Sequence, residues 1–151
     1  MARASIDTSV IIEYIDEEGE YHEQAKTVFS AILSGKLEAI IPHPILAETY
    51  YVATRIYQKL GIEEPETTAT KLVEWLYRLP TVIIADTSLN LALEAGKIKL
   101  HYKLALTDCY ILATSKIYNC IALFRKLETE MLKNIKQLKR NYKIIFLEDY
   151  K

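Results

Sequence analysis

The hydrophobic residues of this chain alternate between short apolar runs and longer stretches with helical spacing. Five short runs predict buried strands, at residues 4–6, 39–41, 81–84, 120–124 and 144–147. Buried strands that alternate with helices are typical of a parallel sheet with helices on both faces. The pattern therefore predicts a three-layer α/β/α fold with a central, parallel, five-stranded sheet, built as a single domain over residues 1–151.

Between the strands, apolar residues recur at steps of three and four, which predicts amphipathic helices. Asp7 and Asp86 are the predicted N-caps of two of them, because an aspartate accepts hydrogen bonds from the free N–H groups of a first turn. The helices are predicted after Asp7, over residues 21–34 and 44–60, from residue 65, after Asp86, from Thr107 or Asp108 to residue 116, and over residues 126–138.

Length and composition limit the class of protein. The 151 residues, 50% of them hydrophobic, are enough for one domain with a full core. The formal net charge of −1 excludes a polycationic nucleic-acid coat but is compatible with a local basic patch. Neither a membrane span nor a signal peptide is recognised, so a cytoplasmic protein is expected. Cys109 and Cys120 match neither a disulfide framework nor a zinc site.

The first candidate for chemistry is Asp7. Ligands of parallel α/β sheets bind beyond the carboxyl ends of the strands, so the residues that follow each strand matter most. Asp7 follows the first predicted strand directly. Two interpretations stay open for it, a functional carboxylate at this edge of the sheet and a plain helix N-cap.

Glu48 is the second candidate. It lies three residues after Ile45 and four before Val52, which places it on the inward face of its helix. A carboxylate on such a face is costly unless it is paired or binds a cation. The alternative is a glutamate at the margin of that face, which reaches water or pairs with Arg55 or Lys59.

Asp108 repeats this placement, because Ile111 and Ser115 follow it at helical spacing. Its alternative role is again an N-cap, for which Thr107 is an equally good candidate. Three carboxylates at one edge of a sheet would repel one another without a cation between them. Hard oxygen ligands of this kind suit Mg²⁺ or Mn²⁺.

Three segments around these acids resemble the leading motifs of PIN-domain ribonucleases, whose small bacterial and archaeal members are VapC-type toxins. The segments are SIDTSVII at residues 5–12, PILAE at residues 44–48 and LTDCYILATS at residues 106–115. Their order and spacing match over essentially the whole chain, including LEAG at residues 93–96 before the third segment.

The resemblance implies a three-layer fold, frequent homodimers and a ribonuclease site in which Asp7, Glu48 and Asp108 hold Mg²⁺ or Mn²⁺. Metal in such a site polarises a phosphate and activates a water for in-line attack on the phosphodiester. For a VapC-like member, the resemblance also implies an RNA substrate and an antitoxin protein as partner.

The chain departs from the family at the turn after the fourth strand, where members usually carry a Thr-x-Asp-like sequence. Phe124 and Lys126 occupy the Thr and Asp positions here. Three outcomes stay open: a metal held less firmly, replacement of the missing acid by Glu128 or Glu130, or an inactive module. Glu128 is therefore a further candidate metal ligand, and Arg125 and Lys126 are candidate contacts to RNA phosphates.

Two other functions stay open beside the ribonuclease. Lys126 favours an inactive PIN module that binds RNA or a protein partner without cleaving it. A phosphotransferase or phosphatase would instead use Asp7 as its nucleophile. The sequence lacks the second aspartate, two residues on, that is typical of haloacid-dehalogenase-like phosphatases.

Two stretches of the chain are candidate contact surfaces. A basic stretch either contacts RNA phosphates or is a solvated helix face. Its members are Lys133, Lys136, Lys139, Arg140 and Lys143. The helix after Pro44 carries more large apolar groups than one inward face requires, which predicts a contribution to a two-fold dimer contact. Those groups are Tyr50, Tyr51, Ile56 and Tyr57.

Overall fold

A five-stranded sheet forms the centre of the molecule in the computed structural model, which describes residues 2–150. The strands are β1 (Ala2–Ile6), β2 (Leu37–Pro42), β3 (Val82–Ala85), β4 (Ile121–Phe124) and β5 (Ile144–Phe146). Their order is β3-β2-β1-β4-β5, and all four neighbouring pairs are parallel. The predicted parallel sheet is confirmed, with β1 at its centre.

Helices connect the strands and cover both faces of the sheet, which confirms the three-layer fold. They are α1 (Thr8–Ile15), α2 (His22–Leu33), α3 (His43–Lys59), α4 (Pro65–Arg78), α5 (Leu89–Tyr102), α6 (Leu106–Ile117), α7 (Thr129–Leu132) and α8 (Ile135–Asn141). A 3₁₀ turn over Leu147–Tyr150 follows β5. None of the helices within residues 2–150 combines the length and the apolar character that crossing a membrane requires.

The apolar runs of the sequence are strands because the sheet is buried on both faces. Ile6 and Ile40, on neighbouring strands, are at most 1% exposed. On one face, the ring of Tyr14 in α1 stacks on Phe29 in α2 at a centroid distance of 4.2 Å, and Trp75 of α4 extends the stack. This packing fixes α1 against the sheet and thereby fixes the turn that joins β1 to α1.

Two predicted helix starts differ from the structure. The N-cap of α5 is Ser88, whose hydroxyl oxygen accepts a hydrogen bond from the N–H of Leu91. The prediction of Asp86 as this cap was wrong, because Asp86 lies three residues before the first helical residue. Helix α6 begins at Leu106, so neither Thr107 nor Asp108 is its N-cap. Both side chains are therefore available for other contacts.

The single helix predicted over residues 126–138 was also wrong, because the segment forms two short helices, α7 and α8. Asn134 separates them with φ −124° and ψ 18°, outside the helical region. Asparagine hydrogen-bonds readily to nearby backbone and is a poor residue for a helix interior. Residues 125–128, between β4 and α7, form an irregular turn.

Helix α4 packs against α3 and covers part of the aromatic surface that was expected at a dimer contact. Tyr50 and Tyr57 are half-buried, whereas Tyr51 is 58% exposed. The guanidinium of Arg55 lies over the Tyr51 ring at 5.7 Å. The dimer contact itself stays a prediction.

Candidate active site

Asp7 lies in the turn between β1 and α1, and its two carboxylate oxygens have different surroundings. Oδ2 accepts hydrogen bonds from the backbone N–H of Ser9 at 3.0 Å and from the Ser9 hydroxyl. Oδ1 is buried and has no hydrogen-bond partner within residues 2–150. Asp7 therefore caps α1 through Oδ2. The capping role does not account for Oδ1, and a buried oxygen without a hydrogen bond is costly in a protein interior.

Ser9 connects Asp7 to the turn after β4. Its hydroxyl oxygen accepts a 3.1 Å hydrogen bond from the backbone N–H of Arg125, while its hydroxyl proton points to Asp7. The backbone N–H of Asp7 also donates to the carbonyl oxygen of Leu123 at 3.1 Å. These bonds hold the carboxyl ends of β1 and β4 together, so the Asp7 carboxylate has a fixed orientation.

Glu48 lies on α3 and is half-buried. Its Oε2 accepts a 2.9 Å hydrogen bond from the hydroxyl of Thr107, the residue before Asp108. Arg55 donates instead to the hydroxyl of Tyr51, and within residues 2–150 neither Arg55 nor Lys59 forms an ion pair with Glu48. The bond from Thr107 therefore ties α3 to the first turn of α6, where Asp108 lies.

The carboxylates of Asp7, Glu48 and Asp108 come from different elements but share one electrostatic environment. The pKa of Asp7 is raised to about 6. Burial is the largest cause and the charge of Glu48 adds to it, whereas the hydrogen bonds from Ser9 act in the opposite direction. The pKa of Asp108 is raised to about 7. Burial is again the largest cause, and the charges of Asp7 and Glu48 raise it as well. Neighbouring carboxylates repel one another when they are ionised. A cation between them offsets this repulsion, so such a group of carboxylates favours cation binding.

The donor set fits a hard divalent cation in type and in charge. All three side chains offer carboxylate oxygens, and Oδ1 of Asp7 is a buried lone-pair donor that has no hydrogen-bond partner among residues 2–150. Within residues 2–150, however, no three His, Cys, Asp or Glu side chains are oriented close enough together to form a ready ligand set. The structure therefore shows an acidic cluster that fits Mg²⁺ or Mn²⁺ in chemistry, without a closed cage of ligands.

A cleft of about 290 Å³ lies at the same edge of the sheet. Pro44 at the start of α3 and Tyr110 of α6 line it, together with Asp86 and Ser88 in the connection between β3 and α5. Pro44 precedes Glu48 by about one helical turn, and Tyr110 follows Asp108 by two residues. The residues that line this cleft include none of Asp7, Glu48 and Asp108.

The family model for the PIN domain matches residues 4–133 of the chain, a range that includes Asp7, Glu48 and Asp108. The chain belongs to the PIN domain family. A sequence comparison with curated proteins gives no match.

Solved structures resemble this PIN domain in fold. A toxin–antitoxin complex from Klebsiella pneumoniae matches at 20% identity and a TM-score of 0.53, with 82% of this chain and 86% of the other covered. VapC20 of Mycobacterium tuberculosis, a sarcin–ricin loop cleaving toxin, matches at 15% identity and a TM-score of 0.60, with 78% and 84% covered. VapBC2 from Rickettsia felis, bound to a DNA fragment from its promoter, matches at 11% identity and a TM-score of 0.64, with 95% and 98% covered. At these identities the likeness establishes a shared fold.

The turn after β4, where this PIN domain departs from the family pattern, is occupied by a charge network. The guanidinium of Arg125 lies 3.4 Å from Glu13 and 3.4 Å from Glu128. Glu128 precedes α7 and its side chain is 60% exposed. Lys126 is half-buried and forms no ion pair within residues 2–150. The roles of Glu128 as a metal ligand and of Arg125 and Lys126 as RNA contacts stay predictions.

Sequence reasoning missed Glu13 altogether. Glu13 is 4% exposed; its Oε1 faces Arg125, and its Oε2 accepts a hydrogen bond from the N–H of Tyr21. A detectable signal was present, because Glu13 interrupts the otherwise apolar stretch of residues 10–15. Glu13 supports the turn after β4 from inside the protein.

Glu130 was considered only as a substitute for the missing fourth acid. Its charge nevertheless raises the pKa of Asp108 more than the charge of Glu128 does. Glu130 is exposed in α7.

Proposed function

We propose that this PIN domain is a metal-dependent endoribonuclease of the VapC type, which cleaves RNA phosphodiesters with Mg²⁺ or Mn²⁺. The observation that carries the proposal is the acidic cluster of Asp7, Glu48 and Asp108. A buried, unsatisfied oxygen of Asp7 at the end of the central strand supports it. The fold neighbours include a sarcin–ricin loop cleaving toxin, which supports RNA as the substrate class.

Asp7, Glu48 and Asp108 would hold the cation in this proposal. When bound, it supplies a Lewis acid for the phosphate and a water of lowered pKa as nucleophile. The protein's own residues orient the ligands: Ser9 fixes Oδ2 of Asp7 and leaves Oδ1 free, and Thr107 fixes Oε2 of Glu48. Burial and the neighbouring carboxylates raise the pKa of Asp108 to about 7, and a bound cation would favour its ionised form.

The replacement of the fourth acid by Lys126 changes the expected metal stoichiometry. One fewer carboxylate lowers the negative charge of the cluster and therefore its affinity for a second cation. The half-buried ammonium of Lys126 has no acidic partner within residues 2–150 and is suited to a phosphate of the RNA. We therefore assign this protein a site that works with one tightly bound cation.

The proposal extends to partners. One fold neighbour is a toxin–antitoxin complex and another is VapBC2 bound to a DNA fragment from its promoter. By this likeness we propose an antitoxin protein as partner, and a homodimer as the assembled form. An antitoxin that blocks the acidic cluster would inhibit cleavage in a mixture of the two purified proteins.

RNA cleavage by purified protein tests the proposed function. Wild type should cut single-stranded RNA in Mg²⁺ or Mn²⁺ and stop in EDTA, and Asp7→Asn should be inactive because the variant loses a carboxylate ligand. Asp149→Asn is the matched control, because Asp149 is exposed in the last turn and far along the chain from the cluster. Cleavage that persists in EDTA, or in Asp7→Asn preparations free of contaminating nuclease, would refute the proposal.

A second candidate function is a PIN module that binds RNA without cleaving it. Two observations favour it, Lys126 at the position of the fourth acid and the lack of a closed ligand set within residues 2–150. The variant Lys126→Asp separates the two functions. Cleavage that appears only in this variant would identify the natural protein as a binding module, whereas equal cleavage by wild type supports the ribonuclease.

A further inference from the structure

The basic residues of this chain are unevenly distributed. Residues 131–147 contain five of its 19 lysines and arginines and no acidic residue, although the whole chain has 20 acidic residues. The structure places this segment in the end of α7, in α8 and in β5. One surface of a protein with almost no net charge is therefore strongly positive.

Three of these cations line one shallow groove of about 400 Å³. Lys136 and Arg140 lie four residues apart on α8 and therefore point to the same side of it, and Lys133, which precedes α8, lines the same groove. Asn134 and Gln137 line the groove between them. Lys139 is not part of it, because its ammonium lies over the ring of Phe146 at 5.7 Å.

The charges in the groove are not neutralised by the protein. Within residues 2–150, Lys133, Lys136 and Arg140 form neither ion pairs nor side-chain hydrogen bonds, and all three are exposed. By contrast, Arg3 and Lys116 each pair with a glutamate at 2.8 Å. The groove therefore offers three cations to an anionic partner at little cost in broken contacts.

The groove begins one short helix after the turn that follows β4. Lys133 directly follows α7, and α7 follows the turn that carries Arg125 and Lys126. Along the chain, the groove is therefore adjacent to these two candidate RNA contacts.

We propose that the groove of Lys133, Lys136, Arg140, Asn134 and Gln137 binds the backbone of single-stranded RNA. This inference rests on the proposed function for the choice of RNA as the anion. The cations match phosphates, and the amides of Asn134 and Gln137 both donate and accept hydrogen bonds, as bases and ribose hydroxyls require.

The apolar part of the groove favours a nucleotide chain over an acidic peptide. Leu132 is 57% exposed and lines the groove together with the half-buried Ile135. A purely acidic peptide such as poly-glutamate would use the cations and the amides but has no flat apolar group for the surface of Leu132 and Ile135. A nucleotide chain supplies phosphates, bases with flat apolar faces, and base edges that bond to amides.

The test is RNA binding by the triple variant Lys133→Gln, Lys136→Gln, Arg140→Gln. Binding of a fluorescein-labelled single-stranded RNA is measured in EDTA, where cleavage does not interfere, over a range of salt concentrations. The matched control is the triple variant Lys36→Gln, Lys59→Gln, Lys71→Gln, which removes the same charge from exposed positions outside the groove. Thermal unfolding of each variant checks that the fold is retained.

Loss of three phosphate contacts should lower the slope of log K against log salt by about 2, and should weaken binding at low salt at least about tenfold. The control should bind like wild type. Equal weakening of both variants, unchanged binding by the groove variant, or no binding of RNA by wild type would each overturn the inference. Wild-type binding of poly-glutamate as tight as that of RNA would also overturn it.

The same measurements separate this inference from the proposed function. If wild type binds RNA through the groove but cleaves none in Mg²⁺ or Mn²⁺, the result supports the RNA-binding groove and contradicts the proposed ribonuclease activity. If wild type cleaves in a metal-dependent way while the groove variant binds RNA as wild type does, the ribonuclease stands and the groove assignment is wrong.

Discussion

The backbone N–H of Arg125 donates a 3.1 Å hydrogen bond to the hydroxyl oxygen of Ser9, across 116 positions of sequence. The Ser9 hydroxyl in turn donates to Oδ2 of Asp7. The turn after β4 and the carboxylate after β1 therefore form one hydrogen-bonded unit. Ser9 is the residue through which a change in that turn reaches Asp7.

Ser9→Ala should disturb both ends of this unit. Loss of the hydrogen bonds to Asp7 and Arg125 should lower the free energy of unfolding by about 1–2 kcal/mol. The pKa of Asp7 should rise further, because the Ser9 bonds lower it in wild type. Urea unfolding measures the free energy of unfolding. Calorimetric titration with Mn²⁺ measures the affinity for the cation, which should be weaker in Ser9→Ala than in wild type.

Ser30→Ala is the control for this substitution, because Ser30 is exposed in α2 and has no side-chain hydrogen bond within residues 2–150. Its unfolding and its Mn²⁺ affinity should stay at wild-type values. A Ser9→Ala protein that matches Ser30→Ala in both measurements would show that Ser9 does not orient Asp7.

The raised pKa values of Asp7 and Asp108 predict how the stability of the metal-free protein depends on pH. Both are raised in the folded state, to about 6 and about 7, from an ordinary value of 3.8. Between about pH 4 and 7 the folded state therefore binds more protons than the unfolded state, so stability falls as pH rises through this range. Well above pH 7 both groups are ionised in the folded and the unfolded state, so they no longer lower the stability as the pH rises.

Thermal unfolding of wild type and Asp108→Asn, both in EDTA, checks this pH dependence. The variant should lose part of the decline in Tm between pH 5 and pH 7.5, because its amide does not titrate. Asp149→Asn should show the wild-type profile, since Asp149 is exposed. Identical profiles for wild type and Asp108→Asn would show that Asp108 is not protonated in the folded protein.

Gly19 is predicted to be sensitive to substitution for a steric reason. A Cβ added at Gly19 would overlap with Oε2 of Glu13, the buried carboxylate that also receives the N–H of Tyr21. Gly19→Ala should therefore destabilise the protein by about 1–3 kcal/mol, as overpacking of a filled site does.

Gly96 provides the opposite case. A Cβ at Gly96, within helix α5, meets nothing within 4 Å. Gly96→Ala should stabilise the protein by about 0.5–1 kcal/mol, because alanine restricts the unfolded chain and favours the helix. Urea unfolding of both variants would contradict the structure if Gly19→Ala were as stable as Gly96→Ala.

Arg125 is expected to contribute to stability through Glu13 more than through Glu128. Glu13 is 4% exposed, whereas the side chain of Glu128 is 60% exposed. Arg125→Gln should cost about 1–2 kcal/mol, because it leaves a buried carboxylate without its cation, at a site partly screened by solvent. Glu128→Gln should change the free energy of unfolding by less than about 0.5 kcal/mol. Equal effects in urea unfolding would contradict this ranking.

The sheet and the positions of the acids follow from local sequence patterns. The apolar runs locate all five strands because these strands are buried on both faces. The position of Asp7 after one such run, and of Glu48 and Asp108 on inward helical faces, predicts that the three face one edge of the sheet, and their shared role as metal ligands stays a prediction. Short-range periodicity carries this information.

The turn after β4 was not predictable in the same way. The break at Asn134 and the cap at Ser88 depend on backbone geometry that several sequences tolerate. The contacts of Glu13 with Arg125 and Tyr21 depend on tertiary packing, with 112 positions separating the first pair. Sequence spacing does not specify such long-range polar contacts, and the surroundings of Lys126 depend on them.

We propose that Asp7, Glu48 and Asp108 together bind one divalent cation. An anomalous difference map from crystals of the protein soaked in Mn²⁺ tests this proposal. We expect one strong peak within about 2.1–2.3 Å of carboxylate oxygens from all three residues, including Oδ1 of Asp7. A map with Mn²⁺ bound elsewhere and none between these three carboxylates would contradict it.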